Sequence, residues 1–151
     1  MNICVIGCGY VGLVTGAVFA DLGNEVACVD VLEERITQLN NGIMPIYEPG
    51  LQEMAQRNLA DRRVSFSTSL EVGMDKAEII FICVGTPPKE NGETDLSQIE
   101  AAARGIARYL RRYTVIVNKS TVPVGTGDLV REIIEQNRRR DVDFDVVSNP
   151  E

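Results

Sequence analysis

Residues 2–12 of the chain read Asn-Ile-Cys-Val-Ile-Gly-Cys-Gly-Tyr-Val-Gly, a short apolar run followed by regularly spaced glycines. The apolar run predicts a buried strand, and the residues after the turn predict a helix. Gly7 permits a tight turn, Gly9 leaves the backbone open to a ligand, and Gly12 lets the helix pack close to the sheet. The stretch therefore predicts a glycine-rich turn in front of helix amides that can bind an anion.

Short apolar runs alternate with longer amphipathic stretches along the whole chain, which is typical of strand–helix–strand units on a mostly parallel sheet. We predict six strands, at residues 2–6, 25–29, 64–67, 78–84, 114–118 and 144–147. We predict helices at residues 10–22, 32–40, 97–112 and from 126 to the basic run 138–140. The predicted fold class is α/β, a Rossmann-type doubly wound sheet of six mostly parallel strands with helices on both faces. It forms one domain over residues 1–151.

The ends of several predicted helices carry sequence signals. Gly23 and Gly42 each stand where a helical pattern stops, and they predict left-handed C-terminal caps. Ser97 and Glu100 match the Ser-x-x-Glu capping box, in which the serine hydroxyl caps the helix start. These signals place three of the helix boundaries.

The composition argues against several classes of function. With 15 Lys and Arg against 22 Asp and Glu, the net charge of -7 disfavours binding to nucleic acid or to acidic membranes. No apolar run approaches the roughly 20 residues of a membrane span, and we expect a cytoplasmic protein. The absence of histidine removes Ser-His and Cys-His nucleophile pairs and most zinc sites, so no metal site is predicted. Buried thiols are expected at Cys4, Cys8, Cys28 and Cys83.

Asp30 ends the second predicted strand, eighteen residues after Gly12. A carboxylate at this place accepts hydrogen bonds from the adenosine ribose of a dinucleotide and repels the 2′-phosphate of NADP. Arg35 is an argument for NADP, because an arginine beyond this strand can accommodate a 2′-phosphate. It can instead lie against the adenosine. We expect Asp30 to dominate, and the predicted cofactor is NAD.

Five motifs follow one another along the chain, at residues 6–13 (Ile-Gly-Cys-Gly-Tyr-Val-Gly-Leu), 47–51 (Tyr-Glu-Pro-Gly-Leu), 83–87 (Cys-Val-Gly-Thr-Pro), 119–126 (Lys-Ser-Thr-Val-Pro-Val-Gly-Thr) and 148–151 (Ser-Asn-Pro-Glu). Together they closely resemble the N-terminal domain of the UDP-glucose/GDP-mannose dehydrogenase family, over essentially the whole chain. The resemblance implies an NAD-dependent oxidoreductase that oxidises a sugar nucleotide in two steps, from UDP-glucose to UDP-glucuronate, and a homodimeric full-length protein.

Loops after the fourth and fifth strands lie at the carboxyl edge, where doubly wound sheets bind ligands. The predicted cofactor-binding residues are Gly7, Gly9, Tyr10, Val11, Gly12, Asp30, Arg35, Val84, Gly85, Thr86, Ser120 and Thr121. The resemblance further implies that Thr121 contacts the active site and that Glu151 takes part in acid–base chemistry. From the residues alone, the hydroxyl of Thr121 could orient the nicotinamide or a catalytic water, and a local turn or helix cap explains it equally well. A glutamate at the position of Glu151 is ordinarily a solvated side chain. Glu48 of the second motif could reach the cofactor or substrate side, but we favour a structural turn for it.

Two other classes of function stay open at this point. A β-hydroxyacid-type dehydrogenase shares the glycine turn, but the motifs at 47–51 and 83–87 disfavour it. A stand-alone dinucleotide-sensing regulatory module has a similar length, but it has no need of Thr121 and Glu151 beside a nicotinamide.

The resemblance implies that the catalytic cysteine and lysine, most sugar-nucleotide contacts and a central dimer helix belong to later domains, absent from residues 1–151. We therefore expect this chain to bind NAD without oxidising UDP-glucose. Calorimetric titrations with NAD, NADP and UDP-glucose should show binding of NAD alone. Formation of NADH by the pure chain from UDP-glucose would contradict the expectation.

Overall fold

The computed structural model describes residues 1–150, and Glu151 lies outside the described residues. The elements follow in the order β1 (Asn2–Ile6), α1 (Tyr10–Asp21), β2 (Glu25–Val29), α2 (Glu33–Asn40), α3 (Leu51–Ala60), β3 (Val64–Ser67), α4 (Leu70–Met74), β4 (Ile79–Ile82), α5 (Ser97–Tyr109), β5 (Thr114–Asn118), α6 (Thr126–Asn137) and β6 (Phe144–Ser148). No helix within residues 1–150 is long and apolar enough to cross a membrane.

The six strands form one parallel sheet in the order β3-β2-β1-β4-β5-β6. The chain runs outward from β1 to β3, returns to the centre at β4 and runs outward again to β6. Between β1 and β4 the direction of winding reverses, and this opens a crevice at the carboxyl edge of the sheet. The predicted doubly wound α/β fold is confirmed.

Each of the two faces of the sheet carries its own layer of buried side chains. Ile80 and Ile82 of β4 pack with apolar residues of α5 and α6, whereas Phe81 packs with residues of α1 and α2. Because successive side chains of a strand point to opposite faces, β4 needs apolar residues at every position. The continuous apolar runs of the sequence follow from this two-sided burial.

The four cysteines are buried, as predicted, and three of them lie on the face that α1 covers. Burial raises the pKa of the Cys4 thiol to about 12, and a hydrogen bond with Cys8, together with burial, raises the pKa of Cys28. Since a thiolate is the reactive form of cysteine, the raised pKa values make Cys4 and Cys28 unreactive packing residues.

The predicted left-handed caps are confirmed at Gly23 (φ 90°) and Gly42 (φ 74°). At the end of α1, the amide of Gly23 donates to the carbonyl of Ala20 at 2.9 Å, and the amide of Asn24 donates to that of Phe19 at 3.2 Å. This pair of bonds satisfies two terminal carbonyls of the helix, and only a residue with positive φ allows it without strain.

The predicted capping box of α5 is wrong. Ser97 is the first residue inside the helix, and Leu96 occupies the cap position. The carboxylate of Asp95 accepts the amide of Ser97 at 2.9 Å, and this bond lowers the pKa of Asp95. Glu100 instead pairs with Arg104 at 3.1 Å. An aspartate two residues upstream therefore does what the serine hydroxyl was expected to do.

Two helices, α3 and α4, have no counterpart in the sequence prediction. α4 spans only five residues and is too short to show a period, although the hydroxyl of Ser69 caps it through the amide of Val72 at 3.3 Å. α3 buries Leu51, Ala55 and Asn58. Conversely, β4 ends at Ile82, two residues earlier than predicted, and β6 extends one residue further, to Ser148.

Arg62, which follows the C-terminal cap of α3, has a φ of 57°, and it is the one non-glycine residue with positive φ among residues 1–150. The left-handed conformation costs a side chain with a Cβ about 1 kcal/mol relative to glycine. We expect Arg62→Gly to raise the free energy of unfolding by roughly 0.5–1 kcal/mol, measured by urea denaturation. Arg63→Gly is the matched control, because Arg63 has no positive φ, and it should bring no gain. A loss of stability in Arg62→Gly would show that its side chain contributes more than the strain costs.

Candidate functional site

The glycine turn at residues 7–12 joins β1 to α1 and shows three different steric environments. A Cβ on Gly7 would lie 2.6 Å from the carbonyl oxygen of Cys83, and a Cβ on Gly12 would lie 1.8 Å from that of Gly7. A Cβ on Gly9 would meet nothing within 4 Å. The fold therefore requires two of the glycines, whereas Gly9 borders open space in front of the first amides of α1. An approaching phosphate needs this arrangement.

Asp30 directly follows β2, and only 8% of its surface is exposed to solvent. One of its carboxylate oxygens accepts the amide of Cys8 in the glycine turn at 2.8 Å and the guanidinium of Arg35 at 2.9 Å. The other oxygen accepts the amide of Leu32 at 2.9 Å. This second oxygen keeps a lone pair for a further donor, so Asp30 can bind a hydroxyl group while it holds the turn in place.

Arg35 forms an ion pair with Asp30 at 2.9 Å, and a third of its side chain is exposed. Asp30 and Arg35 were expected to favour different cofactors, but Asp30 binds the guanidinium of Arg35 directly. A cleft of about 470 Å³ adjoins this pair, and it is lined by Val31, Leu32, Glu33, Glu34, Arg35, Gln38 and Pro45. Its carboxylates make the surroundings unfavourable for an additional phosphate.

The loops that follow β4 and β5 are joined by side-chain hydrogen bonds. The hydroxyl of Ser120 donates to the carbonyl of Val84 at 2.7 Å, and the hydroxyl of Thr86 donates to the carbonyl of Thr121 at 2.8 Å. The amide of Ser120 also donates to the carbonyl of Ile82 at 3.1 Å. The two loops therefore form one unit, in which the hydroxyl protons of Ser120 and Thr86 already have acceptors.

The structure brings the predicted cofactor residues to one edge of the sheet. Gly7 stands against Cys83 at the end of β4, so the glycine turn adjoins the loop that carries Val84, Gly85 and Thr86. Ser120 and Thr121 join the same group through the bonds described above. Two of the predicted residues open α1, Tyr10 and Val11. The predicted catalytic residue Glu151 lies outside the described residues.

Sequence reasoning missed a contact between the glycine turn and residues 43–50. The hydroxyl of Tyr10 donates to the carboxylate of Glu48 at 2.7 Å. The two residues are 38 positions apart, and no periodicity links them. The Tyr-Glu-Pro-Gly motif was the available signal, but it was assigned to a structural turn.

Asn118, the last residue of β5, was also missed. It is 1% exposed, and both polar atoms of its amide are buried without a hydrogen-bond partner among residues 1–150. A buried amide in this state costs free energy, so packing alone does not account for an asparagine here. It places an unsatisfied polar group at the end of β5, three residues before Thr121.

The family model described as the NAD-binding domain of the UDP-glucose/GDP-mannose dehydrogenase family matches residues 1–151. UDP-glucose 6-dehydrogenase TuaD of Bacillus subtilis is 50% identical over 150 residues, which cover 99% of this chain and 32% of that protein. UDP-glucose 6-dehydrogenase of Pseudomonas aeruginosa is 49% identical over 154 residues, covering 100% and 34%. The chain thus spans about a third of the length of the curated relatives it matches.

Solved structures of the same kind superpose on the whole chain. A UDP-glucose dehydrogenase from Pyrobaculum islandicum matches with a TM-score of 0.93 and 42% identity, over 99% of this chain and 35% of that one. A ternary complex of GDP-mannose dehydrogenase from Pseudomonas aeruginosa matches with a TM-score of 0.95 and 38% identity, over 100% and 36%. These matches confirm the resemblance carried by the five motifs and favour it over the two alternative classes. The chain belongs to the UDP-glucose/GDP-mannose dehydrogenase family, in which it corresponds to the NAD-binding domain.

Proposed function

We propose that this chain holds the cofactor of an enzyme that oxidises UDP-glucose to UDP-glucuronate in two NAD-dependent steps. The observation that carries the proposal is the buried carboxylate of Asp30, bonded to the glycine turn at Cys8 with one lone pair left for a ribose hydroxyl. The choice of UDP-glucose is supported by relatives named UDP-glucose 6-dehydrogenase, which are about 50% identical to this chain over its length.

The described residues fit a dinucleotide at three places. The open face of Gly9 and the first amides of α1 would hold the pyrophosphate, and Asp30 would hold the adenosine ribose. The joined loops that carry Thr86 and Thr121 would face the nicotinamide half. When bound, NAD supplies the acceptor for the hydride that leaves the substrate alcohol.

Preference for NAD over NADP follows in this proposal from the Asp30–Arg35 pair. Arg35 is the cation that a 2′-phosphate would need, but Asp30 holds its guanidinium at 2.9 Å. Glu33 and Glu34 line the same cleft and add negative charge near the place of a 2′-phosphate. A ribose with two free hydroxyls therefore suits this end of the crevice better than a phosphorylated one.

The bond between Thr86 and the carbonyl of Thr121 supports a site role for Thr121, because it holds the backbone of Thr121 at the crevice. The acid–base role of Glu151, the homodimer and the cytoplasmic location stay predictions. The catalytic cysteine is expected outside this chain. All four cysteines here are buried, and a nucleophilic thiol must be accessible and able to ionise.

The first test compares two alanine substitutions in the glycine turn. Gly9→Ala should fold with unchanged stability, because its Cβ meets nothing within 4 Å, but it should weaken NAD binding more than about tenfold by occupying the phosphate space. Gly12→Ala places its Cβ 1.8 Å from the carbonyl oxygen of Gly7 and should lose about 3 kcal/mol or more of stability. Calorimetric titration and urea denaturation measure the two effects. Unchanged NAD affinity in Gly9→Ala would contradict the placement of the pyrophosphate.

The second test concerns the choice of cofactor. Asp30→Ala should raise the dissociation constant for NAD roughly 10- to 100-fold, since a hydrogen bond to a charged acceptor is lost. It should also reduce the preference for NAD over NADP, because the guanidinium of Arg35 is released and can bind a 2′-phosphate. Asp30→Asn is the intermediate variant, because its amide oxygen can still accept the amide of Cys8 while its NH2 group would face the amide of Leu32. It should keep the turn in place and lose less affinity for NAD than Asp30→Ala. Titrations with both cofactors decide, and an Asp30→Ala variant with wild-type affinity for NAD would rule out this role of Asp30.

A further inference from the structure

Residues 43–50, which we call the 43–50 loop, follow α2 and lead into α3. The loop reaches the proposed cofactor groove at two separate places. Pro45 lines the cleft beside the Asp30–Arg35 pair. Glu48 accepts the hydroxyl of Tyr10, the first residue of α1, at 2.7 Å. The loop therefore runs along the groove from the adenosine end to the pyrophosphate end.

The 43–50 loop is also held in place by packing and by hydrogen bonds at its two ends. Met44 and Ile46 pack against the buried apolar layer on the α1 face of the sheet. At its two ends, the side-chain amide of Gln56 donates to the carbonyl of Gly42 at 2.9 Å, and the amide of Leu51 donates to the carbonyl of Glu48 at 3.0 Å. The loop is thus a packed segment with its own contacts, and the Tyr10–Glu48 bond joins it to the first turn of α1.

The Tyr10–Glu48 bond is notable for its position and its charge. The amide of Tyr10 belongs to the helix start that would bind the pyrophosphate, and its side chain is about half exposed. A hydroxyl-to-carboxylate bond of 2.7 Å is a charge-assisted bond of the stronger kind. It orients the residue at which α1 begins.

We propose that the Tyr10–Glu48 bond couples NAD binding to the position of the 43–50 loop, which makes this loop a wall of the cofactor groove. The inference rests on the proposed NAD-binding function. Before the cofactor arrives, the bond holds both the loop and the start of α1 in the bound arrangement, so binding does not have to order them. Tyr10 and Glu48 are positioning residues in this role, since their side chains act through the loop and the helix start.

The test measures NAD affinity in Tyr10→Phe, Glu48→Ala and the double variant. Each single variant should raise the dissociation constant about fivefold, and the double variant should be no weaker than either, because both remove one shared bond. Glu48→Gln should have a smaller effect, because its amide oxygen can accept the same hydroxyl. Tyr113→Phe is the matched control. Tyr113 donates to Asp145 at the same 2.7 Å but lies just before β5, at the opposite edge of the sheet, so NAD affinity should not change.

Hydrogen exchange separates coupling from a purely structural role. In the wild-type chain and in Tyr113→Phe, the amides of residues 43–50 should already exchange slowly before NAD is added. In Tyr10→Phe they should exchange faster without NAD, and NAD should slow their exchange more than it does in the wild-type chain. Tyr10→Phe with the NAD affinity and loop protection of Tyr113→Phe would overturn the coupling, as would additive effects in the double variant. A wild-type chain that binds no NAD would instead overturn the proposed function, and the coupling with it.

Discussion

The buried carboxylate of Asp30 is the interaction on which the arrangement of the carboxyl edge depends. It joins the end of β2 to the glycine turn through the amide of Cys8, and it holds the guanidinium of Arg35. A buried charge is costly unless it is hydrogen-bonded and paired with an opposite charge. Because its partners are two backbone amides and one cation, Asp30 is satisfied, and the turn, the strand end and the arginine are placed relative to one another.

The glycine turn imposes the second constraint, which is steric. Gly7 stands against the carbonyl of Cys83, and Gly12 stands against that of Gly7, so α1 packs at backbone distance from the centre of the sheet. This close approach brings the turn beside the loop after β4, which is itself bonded to the loop after β5 through Ser120 and Thr86. Three loops from separate parts of the chain thereby become one surface at the point where the winding of the sheet reverses.

Much of this fold was predictable because its signals are local. Strands that are buried on both faces must be apolar throughout, and the six apolar runs identified them. Gly23 and Gly42 marked helix ends because few other residues adopt a positive φ. The failures have separate causes. Asp95 accepts the first amide of α5, so Ser97 is not its cap, and α4 is too short to show a period. The carbonyl of Val84 accepts the hydroxyl of Ser120, 36 positions away, in place of continuing the strand.

The sequence by itself determined the doubly wound sheet, the glycine turn, the position of Asp30 and the family, because each depends on residues close together in the chain or on motifs read in order. Only the tertiary structure decided which groups meet. It paired Tyr10 with Glu48 across 38 positions, bonded Thr86 to the backbone of Thr121 across 35 positions, and buried the amide of Asn118 at the end of β5. The physical reason is that such contacts arise when helices and strands pack on one another, and packing brings together side chains that no local pattern relates.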